Sequence, residues 1–410
     1  GFRPFVYRLA HSLGLAGYVL NSTAGVLIEA EGDKGSLNEF LIRISREKPP
    51  LAKIYSLQHT FLESAGLKGF TIQKSLHRGE KKPFMLPDIA LCEECMLDIS
   101  TPENRRFLYP FTNCTNCGPR FTIILRLPYD RKNTSMKTFP MCRECEKEYH
   151  LPSDRRFHAQ PNACHDCGPS VKLSAQGREV LSENRKALNK AVEYLQEGGI
   201  LALKGLGGYH LLCDATNSDA VLRLRQRKHR EEKPMAVMFP DLASIKKEAL
   251  LNDLEERSLQ STERPIVIVR KKDTSNLSDA VSPDNRTVGV FLPYTPLHHI
   301  ILRKLNKPVI ATSANMTDEP IVKDEDDAFT RLSGISDYTL SHDRAIVRRC
   351  DDSVVRIMAG RQVPIRRSRG YAPLPLPVPF TIQKPVLALG PYMNNTIAVG
   401  IGNEVFLSQH

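Results

Sequence analysis

Apolar residues recur at helical spacing near the start of the chain and at alternating spacing just after it. In "FRPFVYRLAHSLGLAG", Phe5, Leu9 and Leu13 share one face, flanked by Val6 and Ala16, as the 3.6-residue period of a helix requires. Pro4 suits a first turn, and Gly17 is the expected stop. "YVLNSTAGVLIEAEG" alternates and turns like a hairpin. Leu37, Phe40, Leu41 and Ile44 mark a second amphipathic helix. The pattern predicts a small βαββαβ, ferredoxin-like domain over 1–78. The sequence opens at Gly1 rather than Met, and the first strand of that pattern is expected upstream.

From about residue 184 the grammar becomes α/β. "KALNKAVEYLQEGG" is a helix closed by Gly198 and Gly199, "ILALK" is a strand, and "GLGG" turns into the strand "YHLLCDA". A helix, a basic loop and a strand follow in "DAVLRLRQRKHREEKPMAVMF". "RPIVIVRK", "TVGVFLPY" and "PVIATSAN" read as strands and "TPLHHIILRKL" as a helix. This alternation predicts an α/β domain over 181–376. The proline-rich "RSRGYAPLPLPVPF" marks a boundary. Residues 377–410 read as two strands opening a truncated C-terminal domain.

Residues 79–180 lack enough apolar periodicity to fold unaided and carry four CxxC pairs instead: Cys92/Cys95, Cys114/Cys117, Cys142/Cys145 and Cys164/Cys167. The gaps between pairs are 18, 24 and 18 residues, and "RRF" and "CGP" recur at a fifty-residue offset. That is an internal duplication. Two CxxC pairs per ion make a closed tetrahedral thiolate site, so the eight cysteines predict two structural zinc ions. Each repeat can close its own site. Alternatively, Cys114/Cys117 pair with Cys142/Cys145 and the outer pairs close the second site. The nested form is the expectation, because "CTNCG", the hairpin-like "PRFTIILRLPYD" and the helical "CRECEKEY" follow one another as knuckle, hairpin and helix.

The formal charge is +11, with no dense basic tail and no tryptophan. That balance favours small phosphorylated ligands over a nucleic-acid platform. No apolar run approaches a membrane span and no signal peptide opens the sequence, so the cytoplasm is the expected compartment.

Two constellations carry candidate chemistry. Gly1, Phe2 and Arg3 precede a helix N-terminus, where free N–H groups and a guanidinium attract phosphate; Asn21 on the next strand can hold a water. "GFR" with "GYVLN" resembles the acylphosphatases, which implies that Arg3 binds a phosphoryl group and Asn21 orients the attacking water. Further on, Lys204, Lys228, Arg230, Lys233, Ser313 and Asn315 can cradle a triphosphate. "KHR" at 228–230 and "SAN" at 313–315 resemble the YrdC-like domains, which bind ATP and form acyl-adenylates. "SHDRAIVRRCDDSVVR" and "IRRSRGYAP" are expected to close the wall of that site.

In this order, the acylphosphatase-like domain, the duplicated C4 zinc-finger module, the YrdC-like α/β domain and the start of a further domain make an α+β multidomain chain. It resembles the HypF family, carbamoyltransferases of [NiFe]-hydrogenase maturation. The resemblance implies cleavage of carbamoyl phosphate, use of ATP with Mg²⁺ to form carbamoyl-adenylate, and transfer of the carbamoyl group to the C-terminal cysteine of a HypE-like partner. Carbamate decomposes in water, so the zinc module is expected to join two sites that share this labile intermediate. Two other readings compete: a threonylcarbamoyl-adenylate synthase for tRNA modification, and a zinc-dependent RNA-binding adaptor.

Overall fold

A computed structural model describes residues 2–409, apart from 23–24, 50–51, 53, 55, 74–84, 176–177, 317–318 and 391–394. The chain forms two compact units. One comprises Gly1–Pro83, Asn113–Asn116 and Met141–Asn162; the other comprises Phe84–Thr112, Cys117–Pro140 and Ala163–His410.

The N-terminal part of the first unit runs α1 (Phe2–Ser12), β1 (Ala16–Ser22), β2 (Gly25–Glu31), α2 (Lys34–Arg46) and β3 (Phe70–Ile72). Strand β1 is central, antiparallel to β2 and parallel to β3. The element order is the predicted one from its first helix onward. The stripes do the packing: Phe5, Val6, Leu9 and Ala10 of α1 and Phe40 and Ile44 of α2 bury against Val19 and Phe70. Helix α1 ends earlier than its glycine signal suggests. It stops at Ser12, followed by Gly14 at φ +65°. Gly17 instead sits inside β1 at φ +136°, where a Cβ would come to 2.0 Å from the Glu29 carbonyl oxygen.

The duplication is visible bond by bond. Helices α3 (Glu93–Ser100) and α4 (Arg143–His150) open the two copies. After each helix the chain makes the same turns: Asn104 N–H donates to Thr101 O and Asp154 N–H to Leu151 O, both at 3.0 Å. Arg106 N–H donates to Asn104 Oδ1 at 2.9 Å, and Arg156 N–H to Asp154 Oδ1 at 2.7 Å. Leu108 and His158, fifty residues apart, both take the left-handed conformation at φ +58° and +54°. The hairpin expected in "PRFTIILRLPYD" does not form. That stretch makes an isolated bridge, Ile124–Thr134, and leads into two short 3-10 turns at Arg131–Asn133 and Ser135–Thr138.

In the second unit, β4 (Val171–Ala175) and β5 (Val180–Glu183) precede helix α5 (Asn184–Gln196), β6 (Leu201–Lys204), β7 (Tyr209–Asp214), helix α6 (Ser218–Lys228) and β8 (Val237–Met238). Then come β9 (Ala249–Leu250), β10 (Ile266–Lys271), β11 (Thr287–Phe291), β12 (Val309–Ser313), β13 (Tyr338–His342), β14 (Val354–Met358) and β15 (Arg361–Arg366). Among the described residues these form one mixed sheet in the order β15-β14-β10-β11-β8-β12-β7-β6-β13-β4-β5, with β9 alongside β10. Its central strands are apolar on both faces: every residue of β6 and β7 is buried, as expected where helices cover a sheet. The register that matters for function is β7 against antiparallel β12, which sets His210 opposite Ser313. Beyond the sheet, β16 (Leu376–Leu389) and β17 (Ile397–Leu407) pair antiparallel, the two strands expected there.

Candidate metal centres and nucleotide cavity

Each finger repeat begins with a cysteine at a helix N-cap, Cys92 for α3 and Cys142 for α4, with Cys95 and Cys145 in the first turn. A helix N-terminus favours thiolate over thiol. The eight cysteines gather as two quartets, Cys92/Cys95/Cys114/Cys117 and Cys142/Cys145/Cys164/Cys167, with all sulfur atoms of a quartet within 4.8 Å of one another. A tetrahedral Zn–S distance of about 2.3 Å places ligand sulfurs roughly 3.8 Å apart; Cys164 Sγ and Cys167 Sγ lie at 3.8 Å. Asn116 N–H points at Cys114 Sγ at 3.3 Å, a bond that steadies a thiolate. The chemistry and spacing fit zinc in both quartets. The expected nested pairing is overturned: each repeat closes its own site. The physical reason is local: after each helix the same turns lead the chain round, and the second CxxC pair of a repeat returns to the helix N-terminus that carries the first.

At the N-terminus, Arg3 lies in the first turn of α1, half-buried, and burial lowers its pKa. Asn21 lies in β1, paired with Val26. The Asn21 side chain and Gly1 fall outside the described residues, so their approach to Arg3 is not described.

The α/β part holds a cavity of about 1130 Å³, in the size range of ligand sites. Its lining includes Lys228, Arg230, Lys233, Ser313 and Asn315, so five of the six residues singled out for a triphosphate meet there. The reason is local. Helix α6 ends at Lys228 with His229 in the left-handed conformation, which turns the basic loop over the end of β12. Buried Arg225 then pins that loop from beneath, with Nη1 donating to Arg230 O and Glu231 O, both at 2.8 Å.

Lys228 Nζ donates to Ser313 O and Asn315 Oδ1, each at 2.9 Å, and also to Asn315 O. Ser313 Oγ donates to Asn315 Oδ1 at 2.9 Å. The "KHR" and "SAN" elements are thus one hydrogen-bonded unit. Burial, and then the charges of Arg230 and Lys233, lower the Lys228 pKa to about 7. Arg230 is similarly lowered to about 10, chiefly by burial. Its guanidinium donates to Lys233 O at 3.1 Å and Pro234 O at 2.5 Å.

The sixth residue stands apart. Lys204 is buried at the end of β6, does not line the cavity, and donates through Nζ to His342 O at 2.8 Å. The glycines after it serve packing: a Cβ on Gly207 would meet the Cys350 carbonyl oxygen at 2.2 Å, and one on Gly208 would meet Ile321 at 2.6 Å. The two late stretches expected to close the wall reach it, and one residue not singled out from the sequence joins them. Arg349, Asp351, Asp352 and Arg366 come from the two late basic stretches, and His210 from β7. Two of the lining acids are already neutralised, Asp352 by Arg369 at 2.8 Å and Glu319 by Arg331. Lys228, Arg230, Lys233, Arg349 and Arg366 give the wall five basic side chains that an anionic ligand can meet.

A titration test arises here. At pH 8, a lysine with a pKa of about 7 is largely neutral. Phosphate oxygens beside it favour the ammonium and raise that pKa, so ligand binding takes up a proton. Calorimetry of ATP binding at pH 8, in buffers of different ionisation enthalpy, is expected to show uptake of roughly one proton or somewhat less. At pH 6, where the amine is already charged, uptake should vanish, and in Lys228→Met it should be absent at both pH values. Equal heats in all buffers at pH 8 would contradict the lowered pKa.

Among the described residues no helix is long and apolar enough to cross a membrane. Residues 1–72 match the acylphosphatase family model, 91–124 and 141–174 each match the HypF finger, and 193–368 match the Sua5/YciO/YrdC model, described as telomere recombination. The chain is 50% identical over 410 residues to the carbamoyltransferase HypF of Synechocystis sp., covering all of this chain and 53% of that protein. It superposes on the crystal structure of T. kodakarensis HypF with a TM-score of 0.91 at 42% identity, covering 100% of this chain and 52% of that one. Against full-length HypF in a phosphate- and nucleotide-bound form the TM-score is 0.88 at 42% identity, covering 100% and 54%. The chain spans about half the length of the proteins it matches.

Proposed function

The chain belongs to the HypF carbamoyltransferase family over the half of those proteins' length that it spans, and on that premise we propose that it performs two early steps of carbamoyl transfer. The first is cleavage of carbamoyl phosphate at the acylphosphatase-like site. The second is condensation of the released carbamate with ATP, giving carbamoyl-adenylate and pyrophosphate. The observation that carries the reading is the cavity in which Lys228, Arg230, Lys233, Ser313 and Asn315 converge, on a chain with two C4 quartets of the HypF-finger kind.

At the first site, Arg3 holds the phosphoryl oxygens and Asn21 orients the attacking water. An acyl phosphate is already activated, so positioning suffices. At the second, Arg230 and Lys233 neutralise the departing pyrophosphate, Lys228 sits between the loop and the phosphates, and Ser313 with Asn315 contacts phosphate or sugar. ATP enters with Mg²⁺, which shields the β- and γ-phosphates. The zinc ions are structural and hold the finger repeats folded. The carbamoyl group is destined for the C-terminal cysteine thiol of a HypE-like protein.

The test is ATP–pyrophosphate exchange in the purified chain. Carbamoyl phosphate is expected to stimulate exchange, whereas threonine with bicarbonate is not. Arg3→Ala should reduce the stimulation by carbamoyl phosphate by about 10²-fold, the usual loss for one charge-assisted contact, while exchange driven by added ammonium carbamate persists. Stimulation by threonine instead would move the protein to tRNA modification. Zinc-dependent RNA binding without any nucleotide binding would leave the adaptor reading.

A further inference from the structure

Lys204, which stands apart from the nucleotide cavity, lies in the field of a second buried cation, Arg344. Arg344 follows strand β13 on the chain. Its guanidinium carbon lies 5.0 Å from the centre of the Phe111 ring. The same ring stands edge-on to His342 at 5.1 Å, and the His342 carbonyl oxygen accepts from Lys204 Nζ at 2.8 Å.

Among the described residues the Arg344 side chain makes no hydrogen bond and no ion pair; its one recorded contact is the Phe111 ring. Two acids in its field, Asp343 and Asp88, are engaged elsewhere. Asp343 accepts from Ser170 N–H at 2.9 Å and from Ser170 Oγ at 3.0 Å. Asp88 Oδ1 accepts from Arg120 N–H at 2.6 Å and from Thr122 Oγ at 2.9 Å. Burial lowers the Arg344 pKa to about 10, which leaves it charged at neutral pH. Burial also lowers Lys204, and the Arg344 charge lowers it further. A buried guanidinium with five donors and no acceptor is costly, and a second cation in its field adds repulsion. Its nitrogens are nonetheless open to solvent: Asp88 Oδ2 and His342 Nδ1 are sealed without a partner, and no nitrogen of Arg344 is.

We infer that Arg344 and Lys204 form an anion site, separate from the nucleotide cavity, for a planar one-carbon oxyanion of the carbamate and bicarbonate kind. Neither residue lines that cavity. The guanidinium fork matches the two coplanar oxygens of such an ion, and Lys204 adds a point charge. Exposures of 7% for Arg344 and 5% for Lys204 admit only a small ligand. The loop that carries Arg344 also reaches the cavity: Arg349 lines it, and Cys350 N–H donates at 3.0 Å to Gly207 O, in the turn after Lys204. Carbamate as the occupant rests on the adenylation reading; bicarbonate from solution does not.

The experiment measures the melting temperature of the full zinc-loaded chain in sodium bicarbonate and in sodium chloride, at equal pH and ionic strength. ATP–pyrophosphate exchange driven by ammonium carbamate is measured beside it. Bicarbonate at about ten times its Kd is expected to raise the parent's melting temperature by roughly 2–5 °C over chloride. The rise should vanish in Arg344→Met and in Lys204→Met, and persist in Arg230→Ala, where the change lies in the nucleotide cavity. Arg344→Lys, with the charge but not the fork, should keep less than about half of it. In chloride, Arg344→Met should melt no lower than the parent, because an apolar side chain suits a buried place better than an unpaired charge. Exchange separates the two sources of the ion. With carbamate as the occupant, Arg344→Met needs about 10–10²-fold more carbamate for the same rate, with ATP affinity changed less than about threefold; an unchanged requirement assigns the site to bicarbonate. The inference is overturned by any of three results: no bicarbonate rise in the parent, a rise that survives in Arg344→Met, or a lower melting temperature for Arg344→Met in chloride. If the rise is present and the parent shows no exchange, the adenylation reading falls and the anion site stands.

Discussion

Replacing Cys92, Cys95, Cys114 and Cys117 together by serine leaves one zinc per chain, whereas replacing Cys92, Cys95, Cys164 and Cys167 leaves none. This follows from the quartets, each drawn from a single repeat, and the opposite outcome would indicate nested sites. The energetic consequence is large. Structural zinc contributes on the order of 10–16 kcal/mol in small metal-dependent folds, as much as a typical domain's whole stability. The four-serine variant that loses one ion is therefore expected to unfold its own repeat at all temperatures above freezing. Metal analysis counts the ions, and limited proteolysis reads the unfolding. The expected cleavages in that variant cluster at 101–113. Two ions retained at full occupancy in either variant would contradict a structural role for these thiols.

The loss should also reach beyond the repeat. Residues 84–112, which begin the first finger, share one compact unit with the α/β part and are bonded to it: Leu91 N–H donates to Tyr294 O and Ala90 N–H to Thr262 O, both at 3.0 Å, and Arg303 donates to Ser100 Oγ at 2.7 Å. Tyr294 carries the stacked Arg369 that holds Asp352. A disordered first finger thus removes one support of the residues behind the cavity. Nucleotide affinity in the four-serine variant is expected to fall even though no cavity residue has changed.

How far the sequence leads depends on whether a feature is set by local spacing or by long-range closure. The stripes of α1 and α2, the two late strands, and the eight ligands with their duplication are local, and all are legible. Gly14 and Gly17 offer helix α1 the same stop signal, and only the close approach of Glu29 shows that Gly17 serves the strand. Cysteine pairing was not legible, since the knuckle-hairpin-helix order depends on a hairpin that "PRFTIILRLPYD" does not make. Five of the six residues that cation and small-polar clustering singles out line the cavity. Lys204 met the same criteria yet is spent on His342 O, a carbonyl 138 positions away along the chain. His210 reads only as part of a strand; its pairing with Asp352, 142 residues further on, is announced by no local pattern.

Arg230→Ala is expected to raise the dissociation constant for ATP by roughly 10²–10³-fold. A guanidinium fork can make two parallel charge-assisted bonds to phosphate oxygens, each worth about 1.5–3 kcal/mol; 1.4 kcal/mol is a factor of ten. The geometry adds a second source of loss. The same guanidinium holds Lys233 O and Pro234 O, so alanine also releases the loop that carries Lys233. Arg230→Lys separates the two. Lysine restores a point charge without the fork, and it is expected to recover less than tenfold of the loss. Full recovery would show that charge alone matters and that the fork does not. Arg225→Met, which frees the loop from beneath while leaving Arg230 in place, should weaken ATP binding by a smaller factor. Direct ATP binding, measured by calorimetry on the three variants, decides between them. Unchanged affinity in Arg230→Ala would remove the nucleotide from this cavity, and the reading of the whole site would fall with it.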